Sequence, residues 1–278
     1  MVIRALVLMN ALLLFFGEAA LAKDWHAVNI ALEGQYAPWN MKNADGSLVG
    51  FEPELADYLC KRMKVQCNLV AAPWDGMIPA LNSGKFDAIM DALSITAERQ
   101  RIIDFSEPYA ITPASFAAPK TSLTPEIRQT SSTITIANDE VSVPEVDHLK
   151  KLFAGKKIGI QAGTVYAKFI YDNFGDTSEI LEYNSSADRD TDLEKGAIDL
   201  GFDDWVYFGE TFEKSTTLTF VGPKIAGTIW GAGEGVGLRK EDSDLRDMFN
   251  QAIQAARADG TIRRLSLKWF KTDVSPAN

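Results

Sequence analysis

An alternation of short apolar runs with helical patterns occurs twice in this chain, and nothing else in it limits the fold as strongly. In the first round Val28 to Leu32 reads as a strand, Pro53 to Met63 as a helix with Leu55, Leu59 and Met63 on one face, and Asn68 to Ala72 as a strand. A helix from Asp75, closed by Gly84, and a strand from Phe86 to Asp91 complete a βαβαβ unit. In the second round Lys157 to Gln161 is a strand, and a helix from Thr164 carries Tyr166, Ile170 and Phe174 on one face. Strand Ile180 to Tyr183, a helix ending at Lys195 and strand Ile198 to Phe202 follow. Two open α/β sheets in tandem satisfy this pattern, because each sheet needs helices on its faces to bury its apolar strands.

The remaining segments say how the two units join. Residues 121–153 are rich in Ser, Thr, Pro and acids with weak periodicity, long for a connection inside a compact domain, and are expected to be an insertion or flap on the second unit. After Val221-Gly222-Pro223 come a strand, Val236 to Arg239, a helix from Ser243 with Leu245, Met248, Phe249, Ala252, Ile253 and Ala256 on its inner face, and a last helix to Phe270. These complete no third unit, so they are expected to return to the first. The chain would then cross between units near Tyr109 to Pro113 and near Pro223 to Gly227, and two crossings make a hinge. The boundaries expected are a first lobe of 23–112 plus 225–278 and a second of 113–224.

Residues 1–22 read as a leader. Arg4 supplies a positive start, Ala5 to Phe16 are apolar apart from Asn10, and Ala20-Leu21-Ala22 offers small residues for cleavage after Ala22. The apolar run is shorter than the roughly 20 residues needed to span a bilayer, and no cysteine follows it for lipid attachment. Export from the cytoplasm is expected. The only cysteines, Cys60 and Cys67, are then expected to form a disulfide tying a helix end to the next strand.

The net charge of −10 argues against nucleic acid, which calls for a basic stripe. Gly231, Gly233, Gly235 and Gly237 open no helix, so they form no dinucleotide site and are expected to be a flexible turn near the hinge. His26 and His148 lack metal-ligand spacing with the cysteines, and no nucleophile elbow or Cys/His pairing occurs. No metal or other cofactor is expected.

Several segments, in this order and spacing, carry a resemblance over nearly all of the chain after the leader. They are Tyr36-Ala37-Pro38-Trp39, Gly50-Phe51-Glu52-Pro53-Glu54-Leu55, Trp74-Asp75-Gly76-Met77-Ile78-Pro79-Ala80-Leu81, Asp87-Ala88-Ile89-Met90, Ser94-Ile95-Thr96-Ala97-Glu98-Arg99 and Gly237-Leu238-Arg239-Lys240-Glu241-Asp242. With them the chain resembles the periplasmic polar-amino-acid binding proteins of ATP-driven importers, particularly the lysine/arginine/ornithine- and opine-binding members. The resemblance implies a two-lobed periplasmic-binding-protein fold of type II, a monomer without catalytic activity, an amino acid or derivative as ligand and a membrane permease as partner.

It also implies a site. Arg99 is matched to the group that holds the ligand carboxylate, with Ser94 nearby and Thr164 at a helix N-terminus on the other lobe; a guanidinium grips both carboxylate oxygens. The alternative is a surface Arg99 paired with Glu98 or Asp104, with Thr96 merely a cap. Asp204 is matched to the acid that meets the α-ammonium, with Asp203 turned the other way; the alternative is a solvated strand end or a cap for the helix opening at Trp205. Tyr36 and Trp74 are matched to rings that sandwich the side chain. Glu33 and Asp91 at the far end suggest a cationic side chain, arginine ahead of lysine or ornithine, unless both are solvated strand ends. Ala92 and Val165 replace hydroxyl residues and Gln161 is shared with opine binders, so a wider pocket for an arginine-derived opine stays open. An exported cyclohexadienyl or arogenate dehydratase and a ligand-sensing receptor partner are further alternatives.

Overall fold

The computed structural model describes residues 23–137 and 143–277; the expected leader lies outside them. The chain opens with β1 (Ala27–Leu32), a small three-stranded sheet of β2 (Gln35–Tyr36), β3 (Asn40–Lys42) and β4 (Leu48–Val49), then α1 (Phe51–Met63) and β5 (Gln66–Ala71). After α2 (Met77–Asn82), β6 (Ala88–Ile89) and α3 (Ala97–Gln100), β7 (Asp104–Ala110) ends the first pass. Residues 111–113 carry the chain over to β8 (Ala114–Pro119).

The second pass runs through β9 (Gln129–Thr135), α4 (Pro144–Leu152), β10 (Lys157–Gln161), α5 (Val165–Phe174), β11 (Glu179–Tyr183), α6 (Ser186–Glu194), β12 (Leu200–Asp204), α7 (Trp205–Lys214) and β13 (Leu218–Ala226). The chain then returns to β14 (Glu234–Leu238), α8 (Ser243–Ala258) and α9 (Thr261–Trp269). The first sheet has the order β5-β1-β6-β14-β7 and the second β11-β10-β12-β8-β13-β9. β1 pairs in parallel with β5 and β6, while β14 runs antiparallel between β6 and β7. This is a two-lobed α/β fold in which two segments join the lobes.

The return crossing is residues 227–233, later than the sequence pattern suggested, because β13 stays paired with β9 through Ala226. Segment 121–153 is less of a flap than its composition implied. It supplies the edge strand β9, and α4 places Val146 and Leu149, with Phe153 after it, in the second lobe's core. The glycine run is tightly packed rather than flexible. Gly231 and Gly233 have positive φ, and a Cβ would lie 2.2 Å from the Ile95 carbonyl oxygen at the first and 2.6 Å from that of Ala110 at the second. Only glycine lets these backbones approach so closely.

α8 buries Leu245, Phe249, Ala252, Ile253 and Ala256, the stripe its periodicity demands. At the end of α1, Cys60 is joined to Cys67 of β5, with Cα atoms 6.0 Å apart. The bridge closes a short loop, so replacing both cysteines by serine is expected to lower unfolding free energy by about 2 to 3 kcal/mol at most, read from denaturant melts. A non-cooperative transition would show that the bridge has a larger role.

Candidate functional site

Strand ends and helix starts from both sheets converge on one cleft. Glu33, Tyr36, Trp74, Asp91, Ala92, Ser94 and Arg99 line it from the first lobe, and Gln161, Thr164, Val165 and Tyr166 from the second. They border about 380 Å³ of space that is partly open to solvent. Of the residues expected to contact a ligand, only Asp204 is not part of this lining; Tyr166, read from the sequence only as sharing a helix face with Ile170 and Phe174, is.

Arg99 stands at one end. Thr96 caps α3 by accepting from the Arg99 amide at 3.1 Å, which turns the side chain into the cleft. Its guanidinium donates to the Ser94 carbonyl at 3.0 Å and across the cleft to the Gly163 carbonyl at 3.3 Å, 5.4 Å from the Trp74 ring. Asp104 is instead bound by Arg246 at 2.7 Å, and Arg99 makes no ion pair among the described residues. Burial pulls the Arg99 pKa down to about 10, so it stays charged at neutral pH without a counter-ion.

The other end is acidic. Glu33 and Asp91, expected either as ligand contacts or as solvated strand ends, are 8% and 4% exposed. Asn40 organises them: its amide protons go to Glu52 at 2.7 Å and Asp91 at 2.8 Å, while its oxygen accepts from the Gly34 amide. Asp91 Oδ1 also accepts from the Glu33 amide at 3.0 Å, and Asp91 Oδ2 is buried without a hydrogen-bond partner among the described residues. Burial pushes the Glu33 carboxyl up to about 7. It raises Asp91 well above the usual range, with the Glu52 and Glu33 charges adding to the effect.

Glu52 was not singled out, yet it holds the floor. It accepts from Tyr109 and, at 2.7 Å, from the amide of Ala92, whose φ of 44° is unusual for a residue other than glycine. Its position in α1 gave no hint of this, since its partners lie far along the chain.

The lobes touch directly across the cleft. Trp74 Nε1 donates to the Ala162 carbonyl at 3.0 Å, Gln161 Nε2 to Glu33 at 3.1 Å, and Tyr36 Oη to Asp203 at 2.6 Å. Tyr36 stacks on Tyr207 with centroids 4.7 Å apart, which covers one of the faces expected to grip a ligand. Asp203, expected to turn away, is thus the acid that meets the first lobe. Ser186 and Arg189 hold it there.

Asp204 follows the alternative reading. Its Oδ1 accepts from the Val206 and Tyr207 amides at 2.7 and 3.1 Å, capping α7, and its Oδ2 accepts from Thr112 and, at 3.3 Å, from Tyr166. It is buried behind Tyr166, with its pKa pushed up to about 7 by desolvation.

The model of the bacterial extracellular solute-binding proteins, family 3, matches residues 28–272. The chain belongs to this family. This family-3 protein is 34% identical to the octopine-binding periplasmic protein of Rhizobium meliloti, covering 97% of this chain and 98% of that one. It is 36% identical to the histidine-binding periplasmic protein of Escherichia coli K12, covering 98% of each. Among solved structures, a periplasmic His/Glu/Gln/Arg/opine family-binding protein from Silicibacter pomeroyi in complex with lysine superposes with a TM-score of 0.73 at 30% identity, over 90% of this chain and all of that one. The cleft between the lobes is the candidate ligand site of this family-3 member.

Proposed function

We propose that the protein captures a basic amino acid outside the cytoplasm, arginine first and lysine or ornithine after it, and delivers it to the membrane permease of an ATP-driven importer. One observation carries this reading: among the described residues, the cleft sets an arginine without a counter-ion opposite two buried acids, one of which has an oxygen without a partner. A ligand with a carboxylate at one end and a cation at the other neutralises both. Either charge buried alone would cost several kcal/mol. Trp74 and the open face of Tyr36 hold the aliphatic stem and the guanidinium by dispersion and cation–π attraction. The α-ammonium is read through the Tyr166 hydroxyl that stands before Asp204.

Because closure joins the lobes through Glu33–Gln161 and Tyr36–Asp203, a ligand that bridges Arg99 and Glu33 favours the closed form, and the permease reads the joint surface. A thermal-shift screen of the purified protein against the common amino acids, ornithine, citrulline, octopine and nopaline tests the assignment. A true ligand at 100 times its Kd stabilises by about 2.7 kcal/mol. Stabilisation by glutamine or citrulline equal to that by arginine would remove the charge-reading role of Glu33 and Asp91.

An arginine-derived opine is the second reading. Asp204 lies behind Tyr166, and the secondary amine of an opine asks less of that acid than a primary ammonium does. Octopine in the same screen decides between them. A prephenate or arogenate dehydratase assay separates both from an enzyme, and uptake in a deletion strain separates them from a receptor partner.

Proton linkage gives an independent check. A guanidinium beside Glu33 lowers a pKa that stands at about 7 in its absence, so binding below that pH expels a proton. Arginine affinity is expected to rise as pH climbs toward 7, and the calorimetric heat at pH 6 to depend on the ionisation enthalpy of the buffer. A buffer-independent heat at pH 6 would place the cation away from Glu33.

A further inference from the structure

Thr112 lies in the first crossing, residues 111–113, and Glu234 is the first residue after the second, residues 227–233. The Thr112 hydroxyl is within hydrogen-bond reach of Asp204 Oδ2 of the second lobe and lies 3.2 Å from Glu234 Oε1. A hydroxyl has one proton, so it cannot donate to two carboxylates at once. Asp204 has the shorter contact and already accepts from Val206, Tyr207 and Tyr166, which suits a carboxylate. Thr112 therefore donates to Asp204, and Glu234 must donate to Thr112.

We infer that Glu234 acts as a neutral carboxylic acid and is a positioning residue of the cleft: through Thr112 and Asp204 it ties both crossings to the second lobe and holds the closed arrangement. With the proton on Oε1, the unpartnered buried atom Glu234 Oε2 is a carbonyl oxygen, the cheaper kind of polar atom to leave unsatisfied.

Glu234 bears on both walls of the cleft. Its backbone forms a bridge with that of Ser94, whose carbonyl holds Arg99, and its side-chain relay ends at Tyr166. The titratable groups around it are Asp204 at the N-terminus of α7, Tyr166 of α5, Glu52 of α1 and Tyr109 of β7. None is a base, and no ion pair reaches Glu234 among the described residues. Burial and the Asp204 charge raise its pKa well above the usual carboxylate range, in keeping with the proton count. Ionising it sets two carboxylates against one hydroxyl at the hinge, and lobe separation relieves the repulsion.

Small-angle scattering of the ligand-free protein at rising pH, starting from about pH 7.5, where Asp204 is ionised, beside Glu234→Gln, tests this, because the amide keeps a neutral donor at any pH. The wild type is expected to expand as pH rises and Glu234→Gln to keep its radius of gyration. In parallel, the arginine Kd of the wild type is expected to weaken about tenfold above neutral pH while that of Glu234→Gln changes less than about twofold. The rise toward pH 7 that comes from Glu33 persists in both.

Equal pH responses of the two proteins overturn the proposal. Should Glu234→Gln not fold, Thr112→Val is expected to be expanded already at about pH 7.5, with Thr112→Ser compact; a compact Thr112→Val overturns it too. The scattering needs no ligand, so a protein that expands in this way but ignores arginine keeps the hinge relay and loses the ligand assignment instead.

Discussion

Replacing Arg99 with alanine is expected to cost most of the ligand affinity while leaving the fold intact. Among the described residues Arg99 is the only base in the lining of the cleft, so no other side chain of that lining can take its place at a ligand carboxylate. Removing one partner of a buried, hydrogen-bonded charge pair costs about 2 to 5 kcal/mol, a loss of roughly thirtyfold to several thousandfold in affinity. The cross-lobe bond to the Gly163 carbonyl goes with it, which weakens closure as well. Stability should change little, because α3 keeps its Thr96 cap and, among the described residues, Arg99 has no ion-paired carboxylate that its loss would leave unpaired. Lysine in its place is expected to recover part of the affinity, since an ammonium restores charge but not the two-pronged grip. The check is calorimetric titration with the ligand that the thermal-shift screen identifies, alongside a thermal melt. Affinity within about threefold of wild type would remove Arg99 from the site.

How far the sequence carried the reading depends on where each residue's partners lie. The strand and helix alternation and the return of β14 and α8 to the first sheet were legible because apolar periodicity reports burial directly. The lining residues Glu33, Tyr36, Trp74, Asp91 and Arg99 were legible through the family resemblance, since each taken alone reads equally well as a core ring, a surface charge or a strand end. Asp203 and Asp204 were not. Alternation along a strand says that neighbours diverge, but β12 ends at Asp204, where capping draws the carboxylate onto the first amides of α7 and away from the cleft. Tyr166 shares the helical spacing of Ile170 and Phe174, yet it stands in the first turn of α5, where the helix meets the cleft. Glu52 and Glu234 become buried acids only through contacts with Asn40, Tyr109 and Thr112 that no local pattern announces. Segment 121–153 hid an edge strand, because Gln129–Thr135 is polar throughout most of its length and an edge needs little apolar alternation.

The largest effect on stability is expected from Arg189, a residue that touches no ligand. It is fully buried in the second lobe, where Nε and Nη2 donate to Asp190 at 3.0 and 2.8 Å and Nη1 to Asp203 and, at 3.2 Å, to the Phe202 carbonyl. Its guanidinium lies 4.9 Å from the Phe208 ring, and Tyr207 donates to the far oxygen of Asp190 at 2.7 Å. Methionine at position 189 would fill much of the space but leave two buried acids without their cation. Breaking such a pair by removing one partner costs about 3 to 5 kcal/mol, a large share of the stability of an ordinary domain. The penalty should shrink as pH falls, since burial already raises the Asp190 pKa and a protonated Asp190 no longer needs the cation. It should shrink too when Arg189→Met is combined with Asp190→Asn and Asp203→Asn, because the partners are then neutral. The same change reaches the cleft, for Asp203 receives the Tyr36 hydroxyl from the first lobe, so ligand affinity is expected to fall along with stability. Urea melts of the single and triple variants at two pH values measure all of this, and a single variant within about 1 kcal/mol of wild type at neutral pH would show that the buried cation is dispensable.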